Sequence, residues 1–598
     1  MRRLFVLMLV LLLVLIGIPA AAQVEPVPLP DPLALSSSLD ATVLDVALSA
    51  DGRIVYAGLD DGTIAILTPD SNGQLQHIPG SPVALASEGA IPTSLALAPD
   101  GSRLYVALAG TGDSTGQALI AVYALDPISG QLLVLGLASV GALDGQIQDL
   151  AVSADGTQLL INGFKSGGLA VFPVPAVGQA EPAVDEHLTE AFGPEMANAW
   201  INTLYDRVQA DAVNAPAASR LYGYAGVTLY EGLVNGMPAN RSLVGQLNDF
   251  PDLPIPVSGQ VFDWPTVAAA ALRVVLSGLM SEESGAAFRE LADAQVTDRQ
   301  TALGSASIVD ASVGLGDSIG ADILAWAQAD GYDDTRELTA DYEILTGDPS
   351  FWVVTTEGRA PVEPLWGSIR PFALGYADEC AEPMNAPYSE EEGSTFYQQA
   401  MEVLQTEQSL TPEQIAIAQW WIDTPGQTGA PSGHWMKIGE QIIDQLDLNL
   451  AQAAEVYGML GMTLADSFIS TWSLKYQINL LRPVTYIQRF IDERWQPYIE
   501  SPSFPEYPSG HSVTSAAAAD MLTSLVGAVA FTDRTNEFRG LVPRSFTSIE
   551  AAASEAAISR LYGGIHFRQA IENGMRQGRC ISEHILNVVT MRQFGQNE

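Results

Sequence analysis

Two cationic side chains stand seven residues apart near the end of the chain, in the segment Lys-Tyr-Gln-Ile-Asn-Leu-Leu-Arg-Pro that begins at Lys475. Seven residues make two helical turns, so the spacing predicts one helix that presents Lys475 and Arg482 on the same face and stops at Pro483. Like charges on one face repel each other. Their pairing therefore indicates a bound anion.

The motif Pro-Ser-Gly-His at residues 508–511 precedes a run of small residues with helical periodicity. Ser509 and Gly510 are therefore predicted at a helix N-terminus, where backbone N–H groups and a hydroxyl can bind an oxyanion. Gly510 would let the backbone approach such a guest closely. His511 follows as a group that can exchange protons near neutral pH.

A third segment, Ser559-Arg560-Leu-Tyr-Gly-Gly-Ile-His566, adds another cation and another imidazole. Its glycine pair would free the chain to bring His566 round to the same point as Arg560. A second Pro-Ser-Gly-His occurs at residues 431–434, and we interpret it as a loop that lines the same pocket or as a match without function.

Positive charge is concentrated in this region of an acidic protein. The 598 residues include 70 Asp and Glu against 27 Lys and Arg, for a formal charge of −43, which argues against nucleic-acid binding. Twelve of the 27 cationic residues nevertheless lie between Lys475 and Arg592. Such a concentration suits an anion pocket, although Arg568, Arg576, Arg579 and Arg592 are expected on exposed helix faces.

Taken in order, the three segments resemble the signature of the vanadium-dependent haloperoxidases, and of the acid phosphatases in the same type 2 phosphatidic acid phosphatase and haloperoxidase superfamily. The likeness covers roughly residues 185 to 598. It implies vanadate as the cofactor, His566 as the axial ligand to vanadium and His511 as the acid–base group. The residues that it implies as hydrogen-bond donors to the vanadate oxygens are Lys475, Arg482, Ser509, Gly510 and Arg560.

The resemblance also implies a reaction, in which hydrogen peroxide oxidises a halide to hypohalous acid, for transfer to a small organic acceptor. Vanadium would act as a Lewis acid at constant oxidation state, while His511 moves protons and Lys475 polarises the bound oxidant. Trp472 and Phe504 coincide with aromatic positions of chloride-oxidising members, although both are equally well explained as core residues.

One position departs from the related phosphatases, which commonly place Asp four residues after the last histidine. This chain has Ala570 there, so the group that orients the second nitrogen of His566 is not predicted. Two other functions stay open: an acid phosphatase that forms a phosphohistidine in the same pocket, and a catalytically silent binding protein.

A different pattern occupies the first third of the chain. Ala-Leu-Ser-Ala-Asp-Gly at residues 47–52 recurs in related form at 96–101 and 151–156, and each copy is followed by two alternating strands. A period near 50 residues built of short strands is typical of propeller blades. Three blades do not close a ring, so we expect a truncated module, one completed by another chain, or a small open β domain.

We therefore predict a multidomain protein in which an all-β, propeller-like module precedes an all-α bundle. The predicted parts are a signal peptide at 1–22, three blades at 23–175, a linker at 176–187 and the helical domain at 188–598. The helices with the clearest periodicity are predicted at 188–210, 218–235, 281–302, 412–423, 450–468, 512–526 and 546–562.

The N-terminus indicates export. Arg2 and Arg3 precede a short apolar run that ends in Pro19 and three alanines, so we predict a signal peptide cleaved after Ala22, with an uncleaved anchor as the alternative. The mature protein is expected to be secreted or periplasmic and to lack a membrane span. A homo-oligomer stays open. Cys380 and Cys580 could then form a disulfide or stay as two buried thiols.

Overall fold

The computed structural model describes strands and adjoining residues between 41 and 173, and residues 188–592 except 258–259, 340–341 and 357. The predicted signal peptide and linker lie outside these residues. Two compact units result, residues 1–182 and 183–598. The described strands of the first unit and helices of the second confirm the predicted order of an all-β module followed by an all-α domain.

The first unit consists of three antiparallel sheets, one for each sequence repeat. Their strands are β1 (Val43–Leu48), β2 (Val55–Leu59), β3 (Thr63–Pro69), β4 (Leu75–His77) and β5 (Val83–Ala84), then β6 (Ile91–Leu97), β7 (Arg103–Ala109), β8 (Leu119–Leu125) and β9 (Leu132–Ser139), then β10 (Asp149–Val152), β11 (Gln158–Asn162) and β12 (Leu169–Pro173). Each sheet pairs its strands in sequence order, and β5 adds to β3. No closed ring is formed by these described strands.

Polar contacts join the first strands of the three sheets. Asp45 on β1 accepts hydrogen bonds from the hydroxyl of Ser94 at 3.0 Å and from the backbone N–H of Leu95 at 2.8 Å. The same Ser94 hydroxyl accepts from the N–H of Leu150 on β10 at 3.1 Å. These side chains therefore satisfy backbone groups between sheets, where no ladder hydrogen bond can do so.

The second unit is a helical bundle with one small hairpin. Its helices are α1 (Glu195–Ala210), α2 (Ala215–Leu233), α3 (Trp264–Leu279), α4 (Glu282–Leu303), α5 (Ala306–Gln328), α6 (Tyr332–Thr339), α7 (Thr395–Gln408), α8 (Pro412–Trp420), α9 (Ala430–Gln445), α10 (Leu450–Ile478), α11 (Pro483–Phe490), α12 (Gly510–Val526), α13 (Ile549–Tyr562) and α14 (Arg568–Val588). The hairpin pairs β13 (Phe531–Asp533) with β14 (Arg544–Phe546). All seven helices predicted from periodicity are present, although α10 continues past its predicted end at residue 468.

Helices α2 and α10 form the centre of the bundle. Both are buried along almost their entire length, as expected of helices that are apolar or small on every face. A Cβ added to Gly226 would lie 2.3 Å from the carbonyl oxygen of Tyr457, and one added to Gly461 would lie 2.6 Å from that of Tyr222. The two backbones therefore touch, and this contact holds α10, which carries Lys475 near its C-terminal end.

Cys380 and Cys580 form a disulfide that links the segment before α7 to α14. The bond closes a loop of 200 residues in sequence separation. In the chain-entropy model such a cross-link stabilises the fold by on the order of 5 kcal/mol. Among the described residues, no helix combines the length and the apolar character needed to cross a bilayer.

The contact between α2 and α10 predicts how two glycine substitutions differ. Gly226→Ala is expected to lower the free energy of unfolding by about 1–3 kcal/mol, because the new methyl group has no room against α10. Gly314→Ala on α5 is the control, since its Cβ would meet no atom within 4 Å. This control should gain up to about 1 kcal/mol from helix propensity. Denaturant unfolding measures both values, and equal stability of the two variants would contradict the prediction.

Candidate active site

The cations predicted to share a helix face are placed by two different helices. Lys475 lies in the last turn of α10, which ends where Asn479 adopts a left-handed conformation with φ of 53°. Arg482 is the N-cap of α11, and Pro483 is the first residue of that helix. The prediction of one continuous helix is therefore wrong. Proline suits a first helical turn, because φ is preset and its missing N–H needs no partner there.

The turn after α13 brings His566 to Arg482. Gly564 has a φ of 74°, a conformation that side-chain-bearing residues rarely adopt, and it lets the chain reverse after Arg560. Arg482 Nη1 donates to the carbonyl of Ile565 at 2.9 Å and lies 3.1 Å from Nε2 of His566. The predicted convergence of these segments is thus present in the fold.

A carboxylate that the sequence analysis missed sets the protonation of His566. Glu506 Oε1 lies 2.9 Å from Nδ1 of His566 and accepts the backbone N–H of Phe567 at 2.8 Å. Arginine can only donate, so the contact with Arg482 requires a lone pair on Nε2. The proton of the neutral ring is therefore on Nδ1, directed at Glu506. The lone pair of His566 is therefore on Nε2, which is what a metal ligand needs.

Glu506 supplies the carboxylate beside His566 that the phosphatase pattern would place at position 570. There the chain contributes only a backbone carbonyl, which accepts the N–H of Ser509 at 3.1 Å. One sequence signal could have pointed to Glu506, since it is the single charged residue in the otherwise uncharged stretch 501–510. Burial raises its pKa to about 7, against the opposing effect of Arg482 and Lys475.

Lys475 is held by backbone oxygens. Its Nζ donates to the carbonyls of Pro505 at 3.1 Å and Glu506 at 2.9 Å, and also to that of Pro508. The ammonium therefore anchors the loop that leads into Ser509. Burial and the neighbouring Arg482 lower the pKa of Lys475 well below its usual value.

Arg560 completes a group of three buried cations with Lys475 and Arg482. Its Nη2 donates to the carbonyl of Trp421 at 2.7 Å and its Nε to the Ser559 hydroxyl at 2.9 Å. Burial lowers the pKa of Arg560 to about 10, and that of Arg482 likewise to about 10. The pKa of His566 is well below its usual value, mainly because the ring is buried and also because Arg482, Lys475 and Arg560 repel a proton on it. All three cations therefore act on that ring.

Ser509 and Gly510 occupy the helix start that the sequence predicted. Ser509 is the N-cap of α12, and its Oγ accepts the hydroxyl of Ser512 at 2.8 Å. The first N–H groups of a helix have no intrahelical acceptor and form an anion-binding end. A Cβ on Gly510 would make only ordinary contacts, the nearest at 3.6 Å from Trp472, so packing within the protein does not explain the glycine.

The two aromatic residues pack against the cations. The rings of Trp472 and Phe504 lie 4.9 Å apart between centroids. Lys475 Nζ lies 5.2 Å from the Phe504 centroid, and the Arg482 guanidinium lies 4.9 Å from it. Trp472 also donates its indole N–H to the carbonyl of Val362 at 3.1 Å. Both rings therefore form one side of the cation cluster.

His511 follows Gly510 and keeps 19% of its side chain exposed. Its Nε2 lies 3.4 Å from Oδ2 of Asp423, and it has no hydrogen-bond partner among the described residues. Burial and the nearby Arg560 lower the pKa of His511 to about 4, with Asp423 opposing them. Without a bound guest, His511 is therefore neutral at neutral pH.

The interpretation of the second Pro-Ser-Gly-His as a pocket-lining loop is wrong, because the segment is helical. Residues 431–434 form the first turn of α9 and are buried. His434 lies between two carboxylates, 3.2 Å from Asp423 and 2.8 Å from Asp533. Burial alone would lower the pKa of His434, but Asp533 and Asp423 outweigh it and raise the pKa to about 10.

Histidine NMR can test these opposite shifts, because the chain has only six histidines. His434 is expected to stay doubly protonated until about pH 10, whereas His511 stays neutral down to about pH 4. The stability that His434 contributes is therefore fully present below its unfolded pKa of 6.5 and is lost as the pH rises through about 10. Signals of labelled imidazoles, assigned with His434→Gln and His511→Gln, report both values. A His434 signal that titrates near 6.5 would contradict the assignment.

The region that contains the candidate site matches a known protein family. The family model described as the VCPO second helical-bundle domain matches residues 455–594, which contain every predicted site residue. No curated protein matches the chain.

Two solved bacterial structures are similar to it. The first bacterial vanadium-dependent iodoperoxidase is 33% identical, with a TM-score of 0.62 over 67% of this chain and 97% of its own. A holo-type vanadium-dependent chloroperoxidase is 14% identical, with a TM-score of 0.51 over 63% and 93% of the two chains, and shows the shared fold alone. Because this chain covers nearly the whole iodoperoxidase at that identity, it belongs to the vanadium-dependent haloperoxidase family.

Proposed function

We propose that this protein is a vanadate-dependent haloperoxidase that oxidises halide with hydrogen peroxide to hypohalous acid. The observation that carries the proposal is the state of His566. Its lone pair is on Nε2, because Glu506 accepts the N–H of the other nitrogen and Arg482 Nη1, which can only donate, lies 3.1 Å from this one. A neutral imidazole in this state is the ligand that a vanadium centre requires.

The surrounding groups suit a tetrahedral oxyanion. Lys475, Arg482 and Arg560 carry three positive charges at a buried point, and Arg482 Nη2 is a buried donor without a partner among the described residues. Planar guanidinium groups suit oxyanion geometry, and the start of α12 adds backbone donors. Bound vanadate would therefore be held at His566 Nε2 and by these cations, with Ser509 and Gly510 at the helix end.

Vanadate supplies a Lewis acid that activates hydrogen peroxide without a change in oxidation state. Each halide ion oxidised to hypohalous acid consumes one peroxide and one proton and releases one water, so the site needs a group that exchanges protons. His511 suits this role, because it stands one residue after Gly510 and is neutral at neutral pH. Its Nε2 faces Asp423, so Nδ1 is the nitrogen left to take up and release protons.

Halide selection is part of the proposal. We propose that halide reaches the cation cluster on the side of Trp472 and Phe504, whose rings contact Lys475 and Arg482. The aromatic pair resembles chloride-oxidising members, whereas the solved relative with 33% identity is an iodoperoxidase. Iodide, bromide and chloride are therefore all to be assayed, each with a small organic acceptor.

We also propose that the protein acts outside the cytosol. The disulfide between Cys380 and Cys580 supports this, because such bonds persist in oxidising compartments. The predicted signal peptide at 1–22 points the same way.

Replacement of the proposed ligand tests the function directly. His566→Ala is expected to abolish vanadate binding in equilibrium dialysis and to remove vanadate-dependent halogenation of an indicator dye. His584→Ala is the matched control, because His584 pairs with Glu379 on a partly exposed surface. Absence of halogenation in vanadate-loaded wild type, together with hydrolysis of a phosphate ester, would identify an acid phosphatase. Equal vanadate affinity in His566→Ala and wild type would mean that the pocket does not bind vanadate through His566.

Glu506 gives a second and finer prediction. Glu506→Ala is expected to lower vanadate affinity by about 10–100-fold, because His566 loses the acceptor that orients its ring. Glu506→Gln should lose less, since its amide oxygen can still accept from Nδ1. Glu402→Ala, which breaks a half-exposed pair with Arg568, serves as the control. Equal affinity of the alanine variant and wild type would remove Glu506 from this role.

A further inference from the structure

The second Pro-Ser-Gly-His places the imidazole of His434 between two carboxylates. His434 Nδ1 lies 3.2 Å from Asp423 Oδ1, and its Nε2 lies 2.8 Å from Asp533 Oδ2. A neutral imidazole has one N–H, but two carboxylate acceptors call for two. All three side chains are almost completely buried. His434 is therefore an imidazolium that lies between two anions.

Other contacts hold this group in place. Asp533 also accepts the indole N–H of Trp420 at 2.7 Å and the backbone N–H of Thr535 at 2.9 Å. The imidazole stacks on Trp421, with 4.6 Å between ring centroids and 19° between planes. Asp533 thus has donors besides His434, whereas Asp423 depends on the two histidines that contact it.

The second oxygen of Asp423 faces the acid–base histidine. Oδ1 contacts His434, and Oδ2 lies 3.4 Å from Nε2 of His511. A chain of side chains therefore runs from Asp533 through His434 and Asp423 to His511. It joins the hairpin strand β13 and helix α9 to the start of α12.

We propose that His434 is a positioning residue for His511. His434 keeps Asp423 ionised and fixed, so that Asp423 can accept the Nε2–H of His511. This inference rests on the proposed function, because it gives His511 its proton-exchanging Nδ1. An ionised Asp423 can only accept, so the neutral His511 ring must carry its proton on Nε2. Nδ1 is then left with the lone pair that takes up a proton.

Loss of His434 would reverse this arrangement at low pH. Asp423 and Asp533 would become two buried carboxylates without a cation between them, and such a pair takes up a proton readily. A protonated Asp423 donates its O–H to Nε2 of His511 and moves the ring proton to Nδ1. The ring could then no longer take up a proton there.

The other charged or titratable groups near this chain do not replace His434. Arg560 acts on both Asp423 and His511, but its hydrogen bonds go to Trp421 and Ser559. Tyr205 and Tyr222 also face Asp423, and burial raises the pKa of each phenol above its usual value. Both phenols therefore stay neutral over the pH range of the test.

The test uses the vanadate-loaded full chain with iodide. His434→Gln is expected to move the acidic limb of the kcat profile upward by about one pH unit or more, which is about a tenfold loss of kcat below the limb. The KM for iodide and the Kd for vanadate should change less than about twofold, because no ligand group is removed. Asp533→Asn should move the limb less, since His434 then keeps Asp423 as its partner. His584→Gln is the control that should leave the profile unchanged.

An unchanged acidic limb in His434→Gln overturns the proposal. A loss of kcat by the same factor at every pH, with a lowered Tm, also overturns it, because that is the effect of a merely structural residue. A second measurement does not require enzymatic activity. Nitrogen-15 NMR of the vanadate-free protein should show the Nε2–H form of His511 in wild type and the Nδ1–H form at low pH in His434→Gln. The same form in both proteins overturns the proposal, whereas an inactive wild type with the expected NMR change contradicts only the proposed function.

Discussion

Three cations are buried together in this protein, and the site is organised around that constraint. Removal of a cation from water costs several kcal/mol unless nearby groups compensate the charge. Lys475 and Arg560 donate mainly to backbone carbonyls, and Arg482 Nη2 has no partner in the part of the chain that the structure describes. The carboxylates close to them, Glu506 and Asp423, also serve histidines. A bound oxyanion is the partner that this arrangement of charge favours.

Each histidine of the site faces a different carboxylate, and the two carboxylates suit the two rings to different roles. Glu506 accepts the Nδ1–H of His566 and leaves the ring's lone pair on Nε2, which suits a ligand to a metal. Asp423 faces Nε2 of His511 and leaves Nδ1 free, which suits proton exchange. Both rings are neutral at neutral pH, because burial and the cations lower their pKa values. The carboxylate behind each ring therefore decides which nitrogen is available.

The bundle provides the rigidity that this geometry requires. Helices α2 and α10 meet at glycines with backbone contact, so the end of α10 that bears Lys475 has little freedom to shift. Lys475 in turn binds three carbonyls of the loop before α12 and fixes the approach to Ser509. Packing in the core therefore helps to fix the position of the helix end where the oxyanion would bind.

Sequence alone determined the cations, the two histidines and the helix start of the site. The tertiary structure decided how they are arranged and which carboxylates lie beside the histidines. The helix start at Ser509, the turn at Gly564 and the strand repeats are local features, so short patterns predict them. The spacing of Lys475 and Arg482 gives a shared face only if one helix spans both, and the break at Asn479 left no clear signal. Glu506 and His566 are 60 residues apart, and His434 and Asp533 are 99 apart. No local periodicity records such pairs, because they meet only when distant helices pack against each other.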